Sequence, residues 1–248
     1  MRVALAATVH DTGGRLAPAI PRVAAALGEV FTGVALNATE ETDPAVIAAA
    51  EACLSPRLIR HPANEATIGR ERRNGVALAL GFGADAVLYC DFDHMVRWIE
   101  ADPAELRRTL TAVPDADMLV VGRTTRSFAE EPRRLQETEA VVNYVYRLMT
   151  GHAFDLMFAV RRLSGRAADL VVNESREDTL ANDVEWPLLV ERAGLSLGYA
   201  EADGLYYRTM EQFGEPADTH DGEPFEWVRR LEFAGLNAGV FRRFLGQA

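Results

Sequence analysis

Short apolar runs alternate along this chain with longer segments whose apolar positions recur every three or four residues. That alternation predicts a parallel sheet with helices on its faces. Runs at 3–8, 30–36, 57–60, 86–90 and 117–122 read as strands, and 16–27, 44–53, 68–82 and 102–112 read as helices. Pro21 predicts a kink or a later start for the first helix. Asp43 and Pro44 supply an N-cap and a first-turn proline to the second. Thr67 is placed to cap the third, which Gly81 and Gly83 stop. Downstream, 132–150 reads as an amphipathic helix through Leu135, Val141, Val142, Val145, Leu148 and Met149, closed by Gly151. Residues 160–172 turn back through a basic, then apolar segment; a helix runs from Asn182 to Ala193-Gly194; and 195–200 and 204–207 read as late strands. The final helix, 224–245, is expected to present Phe225, Val228, Leu231, Phe241 and Leu245 to an apolar partner, either the core or a second copy in a homodimer. No linker or repeat divides the chain, so 1–248 is expected to form one α/β domain.

The strand at 86–90 stops abruptly at two carboxylates, Asp91 and Asp93. On an extended backbone residues two apart share a face, so both can reach one point beyond the strand end. Hard oxygen ligands there suit Mg²⁺ or Mn²⁺, which bind through one or two carboxylates and a substrate's phosphates. The competing reading is a solvated Asp-rich turn. Ligands of open α/β sheets bind beyond the strands' carboxyl ends, so residues 10–11, 37–40 and 91–94 should line one crevice. In the helix at 68–82, Arg70, Arg73 and Asn74 stand at i, i+3 and i+4 on one face. Cations in a first turn oppose the helix dipole unless an anion lies near, which makes this face a candidate diphosphate cradle. The alternative is a solvated basic face partnered by Glu71. Asp183 and Glu185 open a later helix, either as capping acids or as a general base.

Net charge is −11 over 248 residues, which argues against nucleic acid or an anionic membrane as a partner of the whole protein. Two cysteines, Cys53 and Cys90, in apolar settings fit a reducing, cytoplasmic location without a disulfide frame. No apolar run approaches the ~20 residues of a membrane-spanning helix, and the N-terminal run is too short for a signal peptide.

Together, Arg72-Arg-Asn-Gly75, an Ala/Leu helix and Leu88-Tyr-Cys-Asp-Phe-Asp93 resemble the signature of glycosyltransferase family 2. Asp117-Met-Leu-Val-Val-Gly-Arg123 and the segment from Val141 through Gly151 to Asp155 and Arg161-Arg162 follow in the order of that family, the latter resembling the acceptor side of polyprenyl-phosphate sugar transferases. Asn182-Asp183 resembles the family's Glu-Asp motif. The resemblance implies the GT-A fold: a nucleotide-sugar-binding half at 1–125, an acceptor half at 126–220 and a C-terminal amphipathic helix at 221–248. It also implies a metal-dependent transfer from a nucleotide-diphosphate sugar to a hydroxyl acceptor, expected to be soluble. On it, Asp91, Asp93 and His220 are metal candidates, with Asp91 alternatively on the ribose. Asn37, Glu40, Arg70, Arg73 and Asn74 are donor-binding candidates, and Asp183, with Glu185 as rival, is the catalytic base. The chain departs from the family at Asn37-Ala-Thr-Glu40, where an Asp usually meets the nucleotide base, at Asn182, and in the Leu-Met-Phe-Ala run after Asp155. A sugar-nucleotide-binding protein without turnover, a haloacid-dehalogenase-type phosphatase and a sugar nucleotidyltransferase are the competing functions.

Overall fold

A computed structural model describes residues 1–205 and 220–246. Seven strands form one sheet: β1 (Val3–Val9), β2 (Val34–Thr39), β3 (Arg57–His61), β4 (Ala86–Tyr89), β5 (Met118–Arg123), β6 (Val160–Ser164) and β7 (Leu197–Ala202). Their order is β3-β2-β1-β4-β6-β5-β7. Every neighbouring pair is parallel except those made by β6, which runs against β4 and β5. Six strands therefore point their carboxyl ends to one edge of the sheet. The chain steps outward from β1 to β2 and β3, then returns to place β4 on the other side of β1. Such a reversal opens a crevice between the loops that leave in opposite directions.

Two helical layers cover the sheet. Helices α1 (Ile20–Val30), α2 (Pro44–Leu54), α4 (Phe92–Ala101) and α5 (Pro103–Thr111) pack on one face around Leu5, Leu36, Leu88 and Leu119. The other face, with Ala6, Tyr89 and Val120, is covered by α3 (Ile68–Leu80), α7 (Arg133–Thr150), α8 (Gly165–Glu174), α9 (Asn182–Arg192) and α10 (Pro224–Phe244). A short α6 (Thr125–Ala129) follows β5. Strand β4 is buried on both sides, which is why it reads as a continuous apolar run.

Several elements differ from expectation for identifiable reasons. Helix α1 starts at Ile20, with Pro21 in its first turn, where a missing N–H costs nothing. Asp43 caps α2 by accepting from the Ala45 amide at 2.7 Å, whereas Thr67 makes no side-chain cap. The acidic turn after β4 is helix α4, beginning at Phe92, so Asp91 occupies its N-cap position and Asp93 its first turn. Strand β6 carries two adjacent arginines into the core. Alternation sends them to opposite faces, and backbone carbonyls accept from the terminal nitrogens of both: Val160, Leu156 and Asp183 for Arg161, whose buried Nε has no partner among the described residues, and Leu110, Ala112, Val113 and Ala116 for Arg162. The expected strand at 195–200 is β7, two residues later. Of the strand expected at 204–207, Gly204 and Leu205 lie outside any strand, and residues 206 and 207 lie outside the described residues.

The C-terminal helix corrects a further expectation. Phe225, Val228, Leu231 and Leu245 are exposed; of the anticipated set only Phe241 is buried, beside Val240. On α7, Val142 and Tyr146 face the core while Val141 and Leu148 are exposed. Among the described residues no helix is long and apolar enough to cross a membrane.

Candidate active site

The β1/β4 reversal holds a cavity of about 490 Å³. Thr8, His10, Asp11 and Arg15 line it from β1 and its loop, Thr39 and His61 from the ends of β2 and β3, Glu71 and Arg72 from α3, and Asp91, Asp93, His94 and Arg97 from the start of α4.

Asp91 is held from three sides. Thr8 Oγ1 donates to it at 2.6 Å, Arg72 Nη2 at 3.2 Å, and the Tyr89 hydroxyl, two residues back on the same strand face, also donates. Burial raises the Asp91 carboxyl, but Arg72, His94 and the two hydroxyls outweigh it and hold the group below the ordinary carboxylate range. Asp93 is different. Its side chain is 41% exposed, with Arg97 at 3.4 Å and His94 at 3.8 Å.

Arg72 ties the two halves of the site together. Its guanidinium donates to Asp183 Oδ1 at 2.8 Å, Asn182 Oδ1 at 3.1 Å and Asp91. Burial works against its charge, but Asp183 and Asp91 hold its pKa well above the usual value. For Asp183 the balance tips the other way: burial raises its carboxyl despite Arg72 and Arg161. Gly69 makes this junction possible, because a Cβ there would meet the Thr179 carbonyl at 2.2 Å. The start of α3 thus lies flush on the 177–179 backbone that leads into α9.

The remaining sequence candidates fall elsewhere. Arg70 is half-exposed and pairs with Glu71 at 3.1 Å. Arg73 turns to Ser175, the Glu177 carbonyl and Asp178, joining α3 to the loop after α8. Asn74 donates to Glu71 at 2.8 Å. The α3 face expected to hold an anion is therefore engaged within the protein, and the guanidinium groups of the cavity are Arg15, Arg72 and Arg97. Asn37 is buried behind Glu71, to which its Nδ2 donates. Glu40 is exposed and outside the cavity lining, Thr39 taking its place. Glu185 accepts from Ser175 Oγ at 2.5 Å and from the Arg176 and Glu177 amides, so it organises a loop. His220 lies in an exposed turn before α10, with Nδ1 2.9 Å from Glu223, outside the cavity lining.

Among the described residues no three His, Cys, Asp or Glu side chains converge as a self-contained metal cage. The donor set still fits a hard divalent ion of the kind that completes its shell with substrate phosphates, because Asp93 offers carboxylate oxygens to the cavity. Thr8, Tyr89 and Arg72 were missed among the sequence candidates. Strand parity with Asp91 could have found Tyr89; nothing in the local pattern separates Arg72 from Arg73.

A second Arg-carboxylate cluster lies beyond β5. Arg123 donates to Asp155 at 2.8 Å and Glu139 at 2.6 Å, and Arg230 reaches Glu139 at 2.5 Å. Glu131 approaches Arg123 at 3.1 Å, yet neither of its buried oxygens has a hydrogen-bond partner. Burial pushes its carboxyl up to about 7.

No family profile and no curated protein sequence matches the chain. Solved structures do. Mycobacterium tuberculosis glucosyl-3-phosphoglycerate synthase superposes with a TM-score of 0.64 at 10% identity, covering 100% of this chain and 81% of that one. A UDP complex of the same enzyme gives 0.63 at 10% identity over 99% and 79% of the two chains. Its complex with Mn²⁺ and UDP-glucose gives 0.55 at 10% identity over 88% and 80%. At this identity the likeness establishes architecture alone, and it agrees with the sheet order and the placement of the crevice: the chain has the GT-A fold of these structures.

Proposed function

We propose that this protein is a metal-dependent glycosyltransferase that moves a sugar from a nucleotide-diphosphate sugar to a hydroxyl acceptor. The observation that carries the reading is the cavity at the strand reversal, where Asp93 projects a carboxylate beside an Asp91 that Arg72 links to Asp183. Asp93 would hold Mg²⁺ or Mn²⁺ directly. Asp91, already accepting three hydrogen bonds, would meet the ribose or the ion's water shell. When bound, the ion would neutralise the leaving diphosphate. The structural neighbours were solved with UDP, UDP-glucose, Mg²⁺ and Mn²⁺, which supports this donor chemistry.

The protein's own residues supply the rest. Arg72 is shared between Asp91 and Asp183, so a phosphate entering the cavity competes for the same guanidinium. Drawing Arg72 toward the diphosphate frees Asp183 Oδ1, whose raised pKa suits it to accept a hydroxyl proton. Glu185, saturated within its loop, does not fill that role. Arg15 and Arg97 make the cavity wall suited to an anionic acceptor. Neighbour complexes contain phosphoglyceric acid and glycerol 3-phosphate, so phosphorylated hydroxy compounds are the acceptors to try first.

Donor binding without transfer is the second reading, favoured by the enclosure of Asp183 behind Arg72. Incubating the protein and Mn²⁺ with UDP-, GDP- and TDP-sugars and a panel of phosphorylated and plain polyols, read by mass spectrometry, decides between them. A glycosylated acceptor is the expected product. Donor binding with neither transfer nor hydrolysis would leave the binding reading standing.

A further inference from the structure

Resting on the donor reading above, we infer that His10 reads the nucleobase, as an acceptor selecting bases that present a ring N–H. The tautomer of His10 follows from a chain of hydrogen bonds under the cavity. Thr42 Oγ1 lies 3.2 Å from the Val9 carbonyl, which can only accept, so the Thr42 hydroxyl proton is spent there. Thr39 Oγ1, 2.9 Å from Thr42 Oγ1, must then donate to it. Its own proton being spent, Thr39 accepts from His10 Nδ1 at 2.8 Å. The uncharged imidazole is therefore protonated at Nδ1 and bears its lone pair on Nε2. Both threonines are buried, Thr42 to 1% exposure, so water does not compete for the relay. His10 itself is exposed and lines the cavity, and among the described residues no hydrogen bond occupies its Nε2.

The position suits a base. Asp93 stands beyond β4, whereas His10, Thr39 and His61 stand beyond β1, β2 and β3. Neighbouring strands are about 4.8 Å apart, so the β2 and β3 ends that carry Thr39 and His61 lie roughly 10–14 Å from the end of β4, a span suited to a nucleoside diphosphate with its phosphates at Asp93; His10, one strand from β4, turns its Nδ1 to Thr39 on the far side. Among the described residues no side-chain carboxylate from the β2 end lines the cavity: Asn37 is buried behind Glu71, and Glu40 lies outside the lining. His10 provides the acceptor instead. Uracil, thymine and guanine present a ring N–H to it. Cytosine and adenine present a ring lone pair at the matching atom, which opposes the Nε2 lone pair. Thr42 and Thr39 act as positioning residues for His10.

Two measurements test this. Long-range ¹H–¹⁵N correlation of the histidine rings in the free protein should show His10 protonated at Nδ1, with Thr42→Val returning it to a mixture. Calorimetry with Mn²⁺ should show UDP and GDP binding at least about tenfold more tightly than CDP and ADP, the size of one well-placed hydrogen bond. In Thr42→Val, and in His10→Phe at an exposed position that the fold tolerates, that preference should fall below about threefold. The affinity for inorganic pyrophosphate with Mn²⁺ should stay unchanged in both. An Nε2-protonated His10 in the wild-type protein, or a base preference that survives both variants, would overturn the inference. Failure of every nucleotide to bind wild-type protein with Mn²⁺ would overturn the transferase reading instead, while the tautomer measurement still judges the relay.

Discussion

Two buried arginines organise carboxylates at the same edge of the sheet, and they do so to different ends. Arg72 joins Asp91 and Asp183 at the wall of an open cavity, with half-exposed Asp93 beside it. Arg123 is enclosed by Glu131, Glu139 and Asp155, with Arg230 behind. The first cluster leaves a carboxylate facing a space that a ligand can enter. The second turns its charges on one another. A buried ion cluster is therefore no sign of a site in itself, and neither is an adjoining hollow, since Arg123 and Asp155 also border one of about 360 Å³; what distinguishes the Arg72 cluster is the half-exposed Asp93 carboxylate at the rim of its cavity.

The contrast can be broken by substitution. Asp183→Asn keeps the size of the side chain and an oxygen toward Arg72, so the fold should persist while transfer falls by about 10²–10⁴-fold, the usual weight of a general base. Single-turnover rates alongside urea unfolding would show whether chemistry and stability part in this way. Arg123→Leu should do the reverse: it removes the guanidinium shared by Glu131, Glu139 and Asp155, leaving Glu139 only Arg230 as its cation, and should cost about 3–5 kcal/mol in denaturant unfolding. Glu131→Gln sharpens the comparison through pH. Its folded value of about 7 stands above the ordinary 4.5, so the folded state holds a proton that the unfolded state has released between those values. The resulting stability, about 3 kcal/mol, is fully present below pH 4.5 and is lost as pH rises through 7. Urea midpoints of the wild-type protein should fall from pH 5 to pH 8, and the glutamine variant should flatten that slope. Arg70→Ala carries the smallest effect: it removes a half-exposed arginine from a Glu71 that keeps Asn37 and Asn74 as donors, and should change stability by less than about 0.5 kcal/mol and leave nucleotide affinity untouched.

Much of the first half of the chain was legible in the sequence, because β1 to β4 and the helices between them follow simple patterns. The 86–90 run, the Asp43-Pro44 start and the crevice loops at 10–11 and 91–94 all emerge from spacing alone. Side-chain direction within α3 did not. One helical turn carries three arginines, and only tertiary packing at Gly69 sends Arg72 to the cavity while Arg73 meets Asp178. Strand β6 was hidden for a related reason. Two arginines in five residues read as the basic part of a segment that turns back, and their burial in a strand depends on carbonyl partners far away in the chain, such as Leu110 and Asp183. In α10 a row of apolar residues read as a stripe for the core or a second copy, yet Phe225, Val228 and Leu231 face away from this chain's core and Val240 and Phe241 make the contact with it.

The central claim is that Asp93 is the carboxylate through which a divalent ion and a nucleoside diphosphate are held together at the β1/β4 reversal. Titrating UDP or GDP into wild-type protein and Asp93→Ala, each with Mn²⁺ and with chelator, tests it most directly. The account predicts binding by the wild-type protein that depends on Mn²⁺, and an Asp93→Ala protein of unchanged stability whose residual binding no longer responds to the metal. Equal, metal-dependent affinity in the two proteins would contradict it.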